Sequence, residues 1–244
     1  NKGSKKRVIT APSKDLKKLQ KYLLKRYLAK LPVHECVHGF RQNHSIATNS
    51  DKHINQKELL NIDIENFFPS IKLEWFIEPL KGSTIKEQTE DILRLCFLNG
   101  SLPQGAPTSP ALSNFIFFNI DIQLNLLAQE YNFNYTRYAD DLTFSGDKIT
   151  LEFTNKVKEI LKNNRFKVNT KKIKHQPFYT RQSVTGVVVN QKRSVPKKLR
   201  LNLRAKLHNM KLANQPLDEE TKGQLSFIRS INQEHYKKLI NIYS

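Results

Sequence analysis

Three acidic residues stand in segments that otherwise read as β-strand, and their chemistry is that of a metal-binding carboxylate set. Asp140 and Asp141 are adjacent in YTRYADDLTFSG, residues 135–146, where Tyr135, Thr136, Tyr138, Leu142, Thr143 and Phe144 all favour strands. Asp63 lies in a similar stretch, NIDIENFF. Neighbouring carboxylates repel each other unless a cation holds them. Three of them, brought together by tertiary structure, can hold two Mg²⁺ ions roughly 3.5–4 Å apart, the arrangement that stabilises both oxygens of an in-line phosphoryl transfer. Taken alone, the Asp-Asp pair also suits a solvated turn, and Asp63 a strand-end cap.

The elements that must position these residues can be read from periodicity and turn chemistry. Residues 135–146 read as a β-hairpin with the aspartates at or beside its tip, and LLNIDIE, residues 59–65, as a strand running into the FFPSI turn. Residues 4–11 read as a short basic strand, followed by a helix capped by Ser13 and reaching about Lys30. Helical patterns cover 86–98 and 151–163, the latter turning Phe153, Val157, Ile160 and Leu161 inward. LPQGAPTSP forms a loop ending in Ser109-Pro110, read as an N-cap and first helical residue of a helix reaching about Glu130. VTGVVVN, residues 184–190, reads as one strand, and two or three helices follow from Ser194. Strands and helices mix without βαβ alternation, so the fold class is α+β.

The charge balance names the partner's chemistry. Across 244 residues, 41 Lys and Arg face 22 Asp and Glu, for a formal net charge of +19. Such an excess fits a polyanion, most often nucleic acid. No long apolar run or signal peptide is read, so no membrane is expected. Cys36 and Cys96 form no CxxC pattern, which fits a reducing cytoplasm without structural zinc. The chain begins at Asn1 rather than Met, and its native start is expected to lie upstream.

NIDIENFFPSI, LPQGAPTSPALSN and YADD, in that order, closely resemble the palm of reverse transcriptases. RVITAPSKDLKKLQ and GFRQNHSI are similar to the two fingers motifs, KVNTKKIKH to the motif near the incoming triphosphate, and VTGVVV stands where the primer grip belongs. The sequence resembles the bacterial retron enzymes in particular. Asn49 and His53 occupy the place of an Asn-Ala-x-x-His element, with Ser50 for its Ala, and Val184-Thr185-Gly186 matches a Val-Thr-Gly element after the hairpin. Without that pairing, His53 reads as a surface histidine and Val184–Gly186 as an ordinary strand with a glycine bulge.

The resemblance implies a right-hand polymerase: fingers in 1–58, palm in 59–79 and 103–193, a fingers–palm connection in 80–102 and a small helical thumb in 194–244. It implies Asp63, Asp140 and Asp141 as catalytic metal ligands, the Ile64 carbonyl as a further ligand, and Mg²⁺ as cofactor with Mn²⁺ as a substitute. For the nucleotide pocket it implies Arg7 and Lys5 on the triphosphate, Phe68 as the steric gate that rejects a ribose 2′-OH, Gln104 and Gly105 at the border, and Lys172 as the proton donor to pyrophosphate. Phe67 and Phe68 also fit as core residues, and Lys171 competes with Lys172 for register. Tyr138, Ala139, Arg41, Val184, Thr185 and Gly186 fall to primer and template. Asn49, His53, Lys197, Lys198, Arg200 and Arg204 are candidates for RNA recognition. Implied partners are dNTPs, a structured non-coding RNA, its RNA–DNA hybrid and a retron effector protein. The setting is the bacterial cytoplasm, and the role is anti-phage defence by partial copying of that RNA from a 2′-OH primer. Alternatives are an intron-like or abortive-infection reverse transcriptase, or a catalytically idle RNA-binding scaffold. No RNase H segment is read, so RNA removal is expected from another enzyme.

Overall fold

The computed structural model describes residues 9–243. Lys5, Arg7 and most of the strand expected over 4–11 lie outside them; residues 9–11 are not in a strand. Helix α1 spans Lys14–Arg26, its first turn capped by the Ser13 hydroxyl accepting from the Leu16 N–H, and a single 3₁₀ turn, Leu28–Lys30, completes the expected length. Short helices α2 (Ile46–Asp51), α3 (Phe67–Ser70), α4 (Ile77–Lys81) and α5 (Thr89–Cys96) flank strand β1, Glu58–Asp63. Helix α6 runs Ser109–Glu130 with Thr108 as its N-cap and Pro110 in the first turn, one residue earlier than expected. Strands β2 (Asn134–Tyr138) and β3 (Asp141–Gly146) form the anticipated hairpin, and α7, Leu151–Asn163, follows.

Strands β2, β3 and β1 and a fourth, β4 (Lys174–Pro177), make one antiparallel sheet in the order β2-β3-β1-β4. Because side chains alternate across a strand, the register separates two faces. Leu60 and Ile62 of β1 pair with Phe144 and Leu142 of β3 and enter the large core with α6 and α7. Asn61 and Asp63 pair with Thr143 and Asp141, making the other face polar towards the hairpin tip. Buried apolar side chains such as Phe144 and Leu60 contribute about 2 kcal/mol each, and they fix the register that sets Asp63 beside Asp141.

Two expectations are corrected. Residues 184–190 do not form one strand: β5 (Ser183–Val184) and β6 (Val187–Val188) fold back on each other around Thr185-Gly186. Both turn residues have positive φ, 45° and 85°, as a tight two-residue hairpin turn demands. A long apolar run does exist: α6 is long and apolar enough to cross a membrane by length and composition. Here it is a core helix, with Leu112, Phe117 and Leu124 fully buried.

Helices α8 (Lys197–Leu212), α9 (Glu219–Ile231) and α10 (Gln233–Tyr243) complete the described chain. Leu203, Leu207, Leu225, Ile228 and Leu239 pack with Val184, Val187, Leu59 and Ala47 into a second core. Lys197, Lys198 and Arg204 remain on the exposed face of α8. Cys36 and Cys96 are buried free thiols, and burial pushes both out of their reactive range.

Candidate active site

The tip of the β2–β3 hairpin is the two-residue turn Ala139-Asp140. Ala139 takes a φ of 57° at a position where glycine is usual, and the surroundings hold it there. The Arg137 guanidinium donates to the Ala139 carbonyl (3.1 Å), to both carboxylate oxygens of Asp121 on α6 (2.8 and 2.7 Å) and to Asn114 (3.1 Å). Arg137 and Asp121 are fully buried, Tyr135 donates to the same carboxylate (2.9 Å), and the guanidinium lies 4.5 Å from the centre of the Phe117 ring. The segment through Gly39 runs along β2, with the His38 N–H donating to the Arg137 carbonyl and Asn114 donating to the Gly39 carbonyl. On the other side, the Ile64 N–H donates to the Asp140 carbonyl (3.0 Å), tying the turn to the end of β1.

These constraints bring Asp63, Asp140 and Asp141 into one cleft of about 340 Å³, shared with Asn61, Lys172, Lys174, Thr185 and Gly186. The Lys172 ammonium donates to Asp63 at 2.9 Å, so Lys172 rather than Lys171 faces the carboxylates. Burial pushes the Asp141 carboxyl up to about 6, reinforced by the charges of Asp140 and Asp63. Its side chain is nonetheless exposed on one flank, which dilutes the effect. Among the described residues, no three His, Cys, Asp or Glu side chains are gathered closely enough to hold a metal ion as they stand, and Asp63 is paired with Lys172. The donor chemistry still fits a hard divalent cation: all three groups are carboxylates, the charges of Asp140 and Asp63 raise the proton affinity of Asp141, and Asp63 already holds a cationic side chain.

Other expected residues divide by location. Phe67 is buried, whereas Phe68 is half-buried, its ring 6.2 Å from that of the exposed Phe40, which in turn lies 6.4 Å from Tyr138. Gln104 accepts a backbone hydrogen bond from Thr10 (2.8 Å), and Gly105, at φ 126°, passes so close that a Cβ would sit 2.9 Å from the Thr10 oxygen. The Arg41 guanidinium donates to the His34 carbonyl at 3.3 Å. Val184 is buried, while Thr185 and Gly186 line the cleft.

Asn49 and His53, candidates for RNA recognition, are interior residues, and His53 is not the surface histidine its polar segment alone suggested. His53 is fully buried, bonded to Ser145 Oγ (2.7 Å) and Thr136 Oγ1 (2.8 Å) of the hairpin, and burial lowers its pKa to about 3. Asn49, also buried, donates to Thr185 Oγ1 at 3.4 Å. The segment from α2 to His53 therefore braces both the hairpin and the Thr185-Gly186 turn, and neither side chain reaches the surface to touch RNA. Sequence reading missed the Arg137–Asp121 pair, Asn114 and Phe40. A charged residue inside an apolar helix and another inside a buried strand were the available signals; their pairing was not.

The family model described as "Reverse transcriptase (RNA-dependent DNA polymerase)" matches residues 1–228. The chain belongs to the reverse transcriptase family. Its membership extends to the retron branch: it is 32% identical over 242 residues to the Retron Ec86 reverse transcriptase of Escherichia coli, covering 98% of this chain and 76% of that one. Identity is 34% to the Retron Mx65 reverse transcriptase of Myxococcus xanthus, over 96% of this chain and 60% of the relative. It is 32% to the Retron Mx162 reverse transcriptase of the same organism, over 91% of this chain. The chain spans 54% of that last relative's length. A foamy viral protease-reverse transcriptase in complex with RNA/DNA hybrid matches 84% of this chain and 26% of its own, with 18% identity and a TM-score of 0.46. Family membership accords with the α+β class and the polymerase fold.

Proposed function

We propose that this chain is the polymerase portion of a retron reverse transcriptase, an RNA-dependent DNA polymerase that copies part of a structured non-coding RNA. The observation that carries the proposal is the convergence of Asp63, Asp140, Asp141 and Lys172 in one cleft, reached from three separate sequence segments. Mg²⁺ held there by the three carboxylates and the Ile64 carbonyl, with Mn²⁺ able to substitute, would supply charge neutralisation and a more acidic primer hydroxyl. Lys172, half exposed beside Asp63, is placed to give its proton to departing pyrophosphate. Phe68 presents an apolar ring against the sugar, which favours dNTPs. Gln104 and Gly105 border the nucleotide, Arg7 and Lys5 grip its triphosphate, and Arg41, Tyr138 and Ala139 approach template and primer.

The fingers, palm and thumb divide as the motifs imply, with the thumb formed by α8–α10. The exposed Lys197, Lys198 and Arg204 then track the phosphates of an RNA–DNA hybrid, consistent with the net charge of +19. Priming from an RNA 2′-OH, a branched product, an effector partner, anti-phage defence and a cytoplasmic setting complete the reading by kinship to retron proteins.

The test is primer extension on an RNA template with dNTPs or rNTPs, with and without Mg²⁺, for wild type and Asp140→Ala. DNA synthesis that requires both the metal and Asp140 supports the reading. No extension by the full-length protein loaded with its RNA would overturn it, and efficient rNTP use would overturn the role of Phe68. Sequencing RNA that copurifies from cells tests the non-coding RNA.

A further inference from the structure

A second cleft, of about 580 Å³, opens between the loop after β4, the end of β6 and helices α8 and α10. It shares no lining residue with the carboxylate cleft, and its size falls within the roughly 300–1,000 Å³ usual for small-ligand sites. Phe178 forms one wall. That side chain is 66% exposed, and Tyr179 beside it is 78% exposed, the two rings meeting edge to face at 5.6 Å.

Two exposed aromatics are costly on a soluble surface, yet here the backbone is fastened beneath them. The Phe178 N–H donates to the Lys57 carbonyl (2.7 Å), and Asn190 Nδ2 donates to the carbonyls of Phe178 (3.1 Å) and Thr180 (2.7 Å). Gln182 Nε2 donates to the Gln56 carbonyl at 3.0 Å. The platform is pre-organised, so a flat ligand binding to it orders little.

Arg200 and His235 stand on the helical side of the cleft. Arg200 Nη1 donates to His235 Nε2 at 3.3 Å, which leaves the proton of a neutral imidazole on Nδ1. Burial and the Arg200 charge both favour that neutral form. His235 Nδ1 and Arg200 Nε, on two residues that line the cleft, are buried donors with no hydrogen-bond partner. Lys57 and Lys192 line the cleft as cations, each also paired with an acidic side chain outside the lining, Asp147 at 3.2 Å and Glu234 at 3.3 Å.

We infer that this cleft captures one unpaired nucleotide of a bound strand, its base stacked on Phe178 and its phosphate or base oxygens accepting from Arg200 and His235. A stacking ring, buried donors and flanking cations together answer a base joined to a phosphodiester, and no base-specific pattern is needed. The inference rests on the nucleic-acid reading of the chain but places a contact outside the catalytic cleft.

The experiment is photocrosslinking of the full chain to a 12-nucleotide RNA carrying 4-thiouridine and to a DNA of the same length carrying 4-thiothymidine, with crosslinked peptides mapped by mass spectrometry. Crosslinks are expected at Phe178 or Tyr179. Phe178→Ala should reduce them roughly tenfold, Phe178→Trp should restore them, and extension of a short primer–template whose only unpaired nucleotides are those being copied should be unchanged. Loss confined to the RNA or to the DNA assigns the strand. Crosslinks elsewhere only, or equal yield with Phe178→Ala, overturn the site and leave the polymerase intact. No crosslink or binding by wild type at any position overturns the nucleic-acid reading and this site with it.

Discussion

Gly39 is where the smallest side chain carries the largest geometric consequence. A Cβ built on it would lie 2.5 Å from the Ala139 nitrogen and 3.1 Å from the Tyr138 carbonyl carbon, both backbone atoms at the tip of the β2–β3 hairpin. Backbone cannot swing aside as a flexible side chain can, so Gly39→Ala must push the Ala139-Asp140 turn away from β1. We expect a stability loss of about 1–3 kcal/mol, typical of overpacking, and a fall in extension rate on the order of 10- to 100-fold, because displacements near 1 Å misplace reacting groups. Far-UV circular dichroism should stay unchanged while single-turnover kinetics report the loss. Asp141 gives the opposite balance. Its carboxyl is pushed up to about 6, so its charged form is less favourable in the fold than in the unfolded chain, and the penalty grows as pH rises from 3.8 through 6. Asp141→Asn should therefore raise the metal-free melting temperature at pH 7.5, by a shift worth about 1 kcal/mol after solvent screening, while abolishing extension. Adding Mg²⁺ should raise the melting temperature of wild type more than that of the variant; equal responses would count against Asp141 as a ligand.

Among the elements, the β2–β3 hairpin depends on a buried ion pair at its root. Arg137 and Asp121 are both fully buried with near-ideal bidentate geometry, and the same guanidinium holds the strained Ala139 carbonyl. Asp121→Ala would leave a buried cation uncompensated, so the expected cost is about 3–5 kcal/mol, measurable by urea denaturation. Arg137→Met should cost less in stability but still impair extension, since the turn loses its tether. Nothing of this was legible beforehand. The hairpin itself was, because β-favouring residues flank two aspartates, and α6 was, because Ser109-Pro110 opens a long apolar pattern. The tether escaped because a pairing between an interior strand and a distant helix leaves no periodic trace. Asn49 and His53 illustrate the same boundary. The sequence placed them in a polar segment, and only the fold turned them inward to hold Thr185 and the hairpin hydroxyls. The two-residue turn at Thr185-Gly186 was hidden by β-branched neighbours that read as one continuous strand.

At the scale of the whole molecule, two hydrophobic cores flank the sheet, and two histidines, His38 and His53, are buried with hydroxyl partners. His53 is enclosed between the segment after α2 and strands β2 and β3, and its pKa is lowered to about 3; His38, also buried, is lowered to about 4. Both are bases whose folded values lie beneath the ordinary 6.5, so the unfolded chain binds more protons at mildly acidic pH. Their contribution to stability is complete above about pH 6.5 and is lost as pH falls towards the folded values. At pH 4.5, two units below the unfolded value, His53 alone would cost about 3 kcal/mol, a large share of a typical domain's stability. Asp141 acts in the contrary sense between pH 6 and 3.8, and its partial exposure makes that compensation smaller. Urea denaturation at intervals from pH 7.5 to 4.5 should therefore show a steep decline below pH 6.5. His53→Gln should begin less stable at neutral pH, having lost imidazole hydrogen bonds to Ser145 and Thr136, yet decline less steeply. Parallel profiles for the two proteins would show that His53 is not the group that titrates on unfolding, and would shift that role to His38.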